Sequence, residues 1–582
     1  MDPKQLPVWS LHFQVVETVR TTGRLVLVAA TGSGKTTQVP QMLLDAGLAG
    51  AGRIVVLQPR RVAARSVAAR VAWERGSKLG GEVGYQVRFE DHLGPESRLC
   101  FVTEGILLRW LQDNPSLQGI GMVVFDEFHE RNLLSDVALA LVKQLRRTTR
   151  PDLGVVVMSA TLEAEPVAQY LADAVPPGHE PAPAPVLSSD GRAYPVEVRW
   201  SDYNDERPEW EKAASAVEHI IRSGWEGDVL VFMPGMAEIQ STVRCIGASS
   251  LGERVALLPL HGDLPPEEQD RVFQPCAQRK VVVSTNVAET SVTIDGVRHV
   301  VDSGLARVAR YDAERGIQTL LVEEISRASA EQRAGRAGRT SSGTCWRLWT
   351  ESGHLNRAER NTPEIQRADL AEVVLLLHSL GVRRAVEFDW LDKPEPAAVE
   401  RAEGLLFTLG ALEQADGEGT GGLTETGRQM LRLPMHPRYA RMLVEAGRRG
   451  CVRAAAMCAA LVSGRDLLQK IGRDDMHLRE RREVFEATGA SDFHTLLLAQ
   501  QFARNCRFSV DACRRSGIHA ATARQVEDTY RQIIHVTRRE GLLRGEELRH
   551  EIAVGTATGP VAIPAGAGDS DDDAPVGVKD AD

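Results

Sequence analysis

Five short apolar runs in the first 170 residues, each followed by a stretch of helical periodicity, limit what this chain can fold into more than any other feature. They are LVLVAA (Leu25 to Ala30), IVVLQ (Ile54 to Gln58), RLCFVT (Arg98 to Thr103), MVVFD (Met122 to Asp126) and VVVMSA (Val155 to Ala160). Runs this continuous suit strands buried on both faces, the situation of a parallel sheet covered by crossover helices. The Pro-rich stretch from Ala174 to Pro195 suits neither a helix nor a central strand and marks a boundary. The alternation resumes with DVLVFMP, VALLPLHG, KVVVSTN and HVVDSG and runs to about Thr350, which predicts a second α/β domain. Beyond NTPEIQRADLAEVVLLLHSLG the strand signals fade. Amphipathic helices dominate there, with the Gly-rich EQADGEGTGGLTETG reading as a short β-hairpin between them.

With 582 residues the chain is long enough for several domains, and no apolar run reaches the roughly 18 residues of a membrane span. The start, MDPKQLPVWSLHF, lacks the apolar stretch of an export signal, so the expected compartment is the cytoplasm, with no membrane partner. The eight cysteines are scattered, and reduced thiols are expected. Cys451 with Cys458, and Cys506 with Cys513, repeat a seven-residue step. Structural zinc uses closer pairs, whereas this step returns to one helix face, so core packing is expected.

The formal charge of -10 is unevenly placed. Residues 551–582 carry seven acids and one lysine in a Gly/Ala/Asp-rich tail without apolar periodicity, which predicts disorder. Residues 431–550 carry 22 Lys plus Arg against 14 Asp plus Glu, many in Arg doublets. Such a surface is either a solvated helix exterior or a nucleic-acid face.

Chemistry enters where the first apolar run meets TGSGKTT. A strand, a Gly-rich turn and a helix in that order form a phosphate-binding loop, with Ala29 standing where the strict pattern has Gly. Gly32, Ser33 and Gly34 turn backbone N–H groups toward phosphate oxygens, Lys35 neutralises them, and the Thr36 hydroxyl, beside Thr37, is placed to ligate Mg²⁺. In VVFDEFHERN, Asp126 and Glu127 end a strand, where the first suits the metal's water shell and the second an attacking water. A zinc-protease helix is excluded, because His129-Glu130 would need a histidine at the position of Leu133. In QRAGRAGR, Arg333, Arg336 and Arg339 recur every three residues; helical geometry would set them near one face, a second-domain source of charge for the phosphates.

With these motifs quoted, the chain resembles DEAH-box helicases of superfamily 2, nearest to the bacterial HrpB-like branch. The resemblance covers Leu6 to Leu468 and runs through GSGKTTQVP, QPRRVAARSVAARV, GYQVRFED, TEGILLR, FDEFHER, SATL, VFMPG, STNVAETSVTIDG and QRAGRAGR in the family's order. It implies two tandem RecA-like parallel-sheet domains, 1–175 (helicase ATP-binding) and 186–358 (helicase C-terminal). A winged-helix-like domain, 359–435, a helical ratchet-like domain, 436–549, and the acidic tail, 550–582, would follow. It implies an ATP-dependent, Mg²⁺-requiring enzyme that moves 3′ to 5′ on a single strand, RNA favoured, accepting other triphosphates. The strand would be single or tailed and held in a tunnel. A DNA helicase and a nucleotide-gated RNA-binding protein remain the alternatives.

Residue by residue, the resemblance assigns Lys35 and Thr36 to phosphate and metal, Asp126 and Glu127 to metal and water, Gln332 to water positioning, and Arg336 and Arg339 to arginine fingers. Asp295 would lie by the nucleotide, Arg70 and Phe273 would clamp the base by stacking, and His129 with Ser159, Ala160 and Thr161 would couple hydrolysis to domain movement. Arg61, Arg88, Thr103, Thr285 and Asn286 would hold the sugar-phosphate chain. Two departures stand out. Phe128 replaces the family's Ala, which should alter packing only. No OB-fold follows the helices, so protein activators are not implied, and a monomer is expected.

Overall fold

The computed structural model describes residues 3–544 except 31, 89, 161–163, 174–180, 190–193, 263, 265, 290–293, 340, 414–420, 465, 470, 472–474 and 487–490. The acidic tail and Thr161 therefore lie outside the described residues. The chain divides into two compact units after Arg428.

The first unit begins with an eight-stranded sheet built from β1 (Arg24–Ala29), β2 (Arg53–Leu57), β3 (Val83–Val87), β4 (Glu90–His92), β5 (Leu99–Val102), β6 (Ile120–Phe125), β7 (Gly154–Ser159) and β8 (Val186–Ser189), in the order β4-β3-β5-β2-β6-β7-β1-β8. All neighbours are parallel except β3 and β4. The five predicted runs are β1, β2, β5, β6 and β7. Their side chains are buried almost throughout, because helices cover both faces. Residues 186–189, which the sequence reading assigns to the second α/β domain, pair with β1 and extend the first sheet instead. Their burial is partial, as expected of an edge strand, so no continuous apolar run announced them.

A second sheet contains β9 (Val196–Arg199), β10 (Asp228–Phe232), β11 (Val255–Leu260), β12 (Arg279–Ser284), β13 (Val297–Asp302) and β16 (Gly343–Arg347), all parallel, in the order β11-β12-β10-β13-β16-β9. An antiparallel hairpin, β14 (Leu305–Asp312) and β15 (Ile317–Glu324), stands outside it. Two hydrophobic layers pack on this sheet, one around Phe232, Val282 and Val300 and the other around Val217, Val231 and Ile239. Each fully buried side chain of this kind contributes about 1.5–3 kcal/mol. The loops that matter leave the carboxyl ends of the strands in both sheets.

Residues 359–428 add helices Ala371–Ser379 and Pro396–Thr408. The expected Gly-rich hairpin leaves one antiparallel bridge, Leu412 to Leu423, while 414–420 lie outside the described residues. The second unit is helical: Pro437–Arg449, Val452–Val462, Met476–Glu486, Asp492–Asn505, Val510–Arg515 and Ala520–Arg539. Cys513 is buried as expected, but Cys451 is exposed because it caps a helix rather than facing its core. No group of three or more metal-ligating side chains forms among the described residues.

Candidate active site

The turn after β1 is shaped by two glycines in the left-handed region, Gly32 and Gly34, each at φ +89°. Gly34 has a second reason to be glycine: a Cβ there would meet the Leu6 side chain at 2.8 Å. The helix Lys35–Asp45 starts immediately, so its open N–H groups face the turn. Val8 N–H donates to the Ser33 carbonyl at 3.0 Å, fastening the N-terminal segment over the loop.

Beside this turn β6 delivers Asp126 and Glu127, both buried. Gln58 Nε2, at the end of β2, donates to Asp126 Oδ2 at 2.7 Å, and the Thr36 hydroxyl bonds the same carboxylate. Burial, then the neighbouring Glu127 charge, pushes Asp126 up to about 6. Burial opposes ionisation of Glu127 too, but Lys35, His129, Arg336 and Arg339 together hold its carboxylate below the usual range. Lys35 Nζ is 3.8 Å from Glu127 Oε2, and His129 Nε2 is 3.5 Å from the same oxygen. His129 Nδ1 accepts the Ala160 N–H at 3.3 Å, joining the acidic turn to the residue after Ser159, the buried last residue of β7. Burial keeps the His129 pKa down.

The second sheet brings its arginines to the same place. A Cβ on Gly32 would lie 3.9 Å from the Arg339 side chain, and both Arg336 and Arg339 feel the Glu127 charge. Burial first, then Arg339, lowers Arg336 well below the ordinary arginine value, and burial brings Arg339 down to about 10. The expected single helix face is not formed. The helix Arg327–Ala334 stops at Gly335, leaving Arg336 and Arg339 on the following turns. Arg333, fully buried, donates to Glu289 Oε2 at 2.9 Å and Asp302 Oδ1 at 2.8 Å, beneath the Phe232 ring. Arg336 Nε donates to the Glu289 carbonyl at 2.8 Å. Gln332 is buried on this helix.

Around this centre the remaining residues sort themselves. Arg70 is half exposed, pairs with Glu74 at 2.7 Å and lies 4.8 Å over the Trp73 ring. Phe273 packs against the second core, and Arg65 reaches Asp270 at 3.8 Å, so the two expected jaws lie on neighbouring elements. Asp295 is exposed on the turn before β13, next to 290–293, which lie outside the described residues. Arg61 is exposed. The Arg88 side chain reaches the surface, but partial desolvation of its guanidinium lowers its pKa, with Arg61 and Arg109 adding to the effect and Glu372 opposing it. Thr103 caps the helix Glu104–Asp113, and Thr285 and the exposed Asn286 follow β12.

Sequence reasoning missed Arg60, whose Nη1 donates to the Asn286 carbonyl at 2.5 Å while Nη2 is 3.4 Å from Glu130. It also missed Gln58, Arg109 and Glu289. Gln58 sits just beyond the end of β2, the signal that identified Asp126, whereas Glu289 comes only after the 3-10 turn Asn286–Ala288. In the second unit Arg441, Arg448 and Arg449 converge on Glu445, so part of the basic surface is neutralised locally.

Ser33 Oγ and Glu127 Oε2 are buried without a hydrogen-bond partner among the described residues, beside Lys35 and a glycine turn. That donor and acceptor set fits a triphosphate with a hard cation. Thr36 and Asp126 alone cannot fill a coordination shell, which suits Mg²⁺, an ion that retains waters and takes phosphate oxygens.

Comparison with known proteins followed the same outline. Residues 10–170 match the DEAD/DEAH box helicase model and residues 211–341 the helicase conserved C-terminal domain model. The chain is 35% identical over 550 residues to the ATP-dependent RNA helicase HrpA of Escherichia coli (strain K12), across 93% of this chain and 41% of that protein. The crystal structure of Escherichia coli DEAH/RHA helicase HrpB superposes with a TM-score of 0.72 at 35% identity, covering 86% of this chain and 61% of that one. That of the E. coli DExH-box NTPase HrpB gives 0.68 at 37%, covering 80% and 56%. The chain thus spans less than two thirds of each relative's length. No helix among the described residues is long and apolar enough to cross a membrane.

Proposed function

Because the chain belongs to the DEAH-box helicases of superfamily 2, in the HrpB-like branch, we propose that it hydrolyses ATP between its two α/β domains to move along a nucleic-acid strand. The observation that carries this reading is the meeting of Lys35, Asp126 and Glu127 from one sheet with Arg336 and Arg339 from the other.

Lys35 and the loop N–H groups bind the β- and γ-phosphates, and Thr36 with Asp126 would hold Mg²⁺, which neutralises phosphate oxygens when bound. Glu127, kept ionised by its cationic neighbours, accepts a proton from water that Gln332 orients. Arg336 and Arg339 offset the charge that spreads over the γ-phosphoryl oxygens. Both lie in a water-poor setting, where such charges act strongly. His129, bonded to the Ala160 amide and beside Glu127, passes the state of the site to the segment that includes Thr161. Arg70 and Phe273 stack on the base without reading its edges, so GTP and other triphosphates are accepted.

Arg61, Arg88, Thr103, Thr285 and Asn286 hold the sugar-phosphate chain, which carries no sequence information. The strand is RNA, and travel is 3′ to 5′. ATPase measured with RNA and DNA of matched sequence, beside unwinding of each with a 3′ or 5′ tail, tests this directly. Faster hydrolysis with RNA and unwinding of the 3′-tailed duplex are expected. Stimulated hydrolysis with the duplex left intact would favour a nucleotide-gated binding protein, and preference for DNA would overturn the RNA assignment.

A further inference from the structure

The turn that carries Glu127 is held from outside its own domain. Glu127 and Arg131 bracket a 3-10 turn, Phe128–Glu130, and both are non-glycine residues in the left-handed region, at φ +50° and +49°. Such conformations cost about 1–2 kcal/mol each and persist only where the surroundings over-determine them. Arg131 is over-determined. Its Nε and Nη2 donate to Asp136 Oδ1 and Oδ2 at 3.1 and 3.0 Å, and Nη2 also bonds Asp392. Its carbonyl accepts the Glu364 N–H at 3.2 Å. Glu364 Oε2 in turn accepts the Leu133 N–H at 2.8 Å, an open amide at the start of the helix Leu133–Thr148. Further along that helix Lys143 Nζ pairs with Asp389 at 2.7 Å.

Phe128 supplies the floor. It is buried edge-on against Phe125 with ring centroids 6.1 Å apart, and the Arg131 guanidinium lies 5.8 Å from its own centroid. The residue that departs from the family name therefore seats the arginine that leaves the domain.

We propose that Arg131, Glu364 and Asp392 form a latch through which region 359–428 sets the geometry of the acidic turn. Asp392 is then a positioning residue for Glu127, acting through Arg131. A strand held by the segments after the second sheet can raise or lower turnover by loading this latch. The proposal rests on Glu127 being the residue that activates water. Asp392→Asn should lower kcat about 5-fold, leave the Kd of a fluorescent ATP analogue unchanged, and speed hydrogen exchange at the amides of 128–133. Asp392→Glu should restore all three, and Arg131→Lys, which keeps the charge but loses the fork, should repeat the defect. Unchanged kcat and exchange in Asp392→Asn would overturn the latch and leave the hydrolysis reading intact. Normal turnover by Lys35→Ala would overturn that reading instead.

A separate feature lies in the second unit. Cys506, half-buried at the end of Asp492–Asn505, has its Sγ 3.8 Å from Sγ of the buried Cys513. The turn between them passes through Arg507 and Phe508, both left-handed at φ +53° and +56°. We infer that this pair is a peroxide-closable dithiol. The peroxide takes two electrons, an S–S bond forms, and the two thiol protons leave with the two peroxide oxygens as water. Full-length protein treated with hydrogen peroxide, alkylated and cut with trypsin should yield peptide 505–507 joined to 508–514, two hydrogens lighter than the separate pair. Cys506→Ser should lose the joined species. Cys506 oxidised or alkylated only singly, as expected for exposed Cys276, would overturn the pairing.

Discussion

In the first α/β domain the strand ends present Lys35, Asp126 and Glu127 as a buried set whose outer oxygen on Glu127 finds no hydrogen-bond partner, whereas in the second domain the arginine row is tied largely to its own chain. Arg333 is locked by Glu289 and Asp302, and Arg336 leans on the Glu289 carbonyl. Two sheets of one architecture thus play unlike parts: one holds an incomplete anion site, the other a braced cation. Members of one regular motif therefore need not share a place: evenly spaced side chains can end in unlike surroundings. Of three arginines spaced alike, one is structural and two reach across.

The incomplete anion site of the first domain depends most on Lys35. Lys35→Ala should lower turnover by about 10³-fold or more, measured by phosphate release, and a normal rate would remove the phosphate loop from the site. Arg333→Met sharpens the second domain's side. It leaves two buried carboxylates without their cation and should cost about 3–5 kcal/mol of stability in denaturant unfolding; a change in kcat without loss of stability would make Arg333 catalytic rather than structural.

Within the first domain a buried carboxyl without a cation offers a contrast to Glu127. Burial pushes Glu104 up to about 7 from 4.5, although Ser135 Oγ donates to it at 2.8 Å. The folded protein keeps that proton where the unfolded chain has lost it, so stability falls as pH rises from 4.5 through 7. Glu104→Gln should match the parent near pH 4.5 and exceed it by up to about 3 kcal/mol at pH 8.5, read from unfolding at the two values. The smallest effect belongs to Arg70→Ala. A lost stacking face should raise KM for ATP and GTP alike by about 3- to 10-fold with kcat preserved, and discrimination between the two would argue against a stacking clamp.

Much of this was legible in the chain. The five apolar runs became five buried strands because continuous Val, Leu and Ile have no other comfortable place in a covered parallel sheet. Strands that were missed, such as β4 and β8, lie at edges, the first fully exposed and the second only partly buried, so the pattern is weak. The acids and the phosphate loop declared themselves through position at strand ends. The arginine row was legible as charge but not as geometry, because Gly335 ends the helix and sends Arg336 and Arg339 onto separate turns. Arg60, Glu289, Glu364 and Asp392 act through backbone carbonyls, amides and partners far away in the chain, and no local spacing marks them.

On this reading, hydrolysis needs charge from the second domain. Single-turnover hydrolysis by Arg336→Ala, with the Kd for ATP measured on the same preparation, tests it most directly. Unchanged binding with a rate lowered by about 10³-fold is the predicted result. An unaltered rate would contradict the account and return the chemistry to the first domain alone.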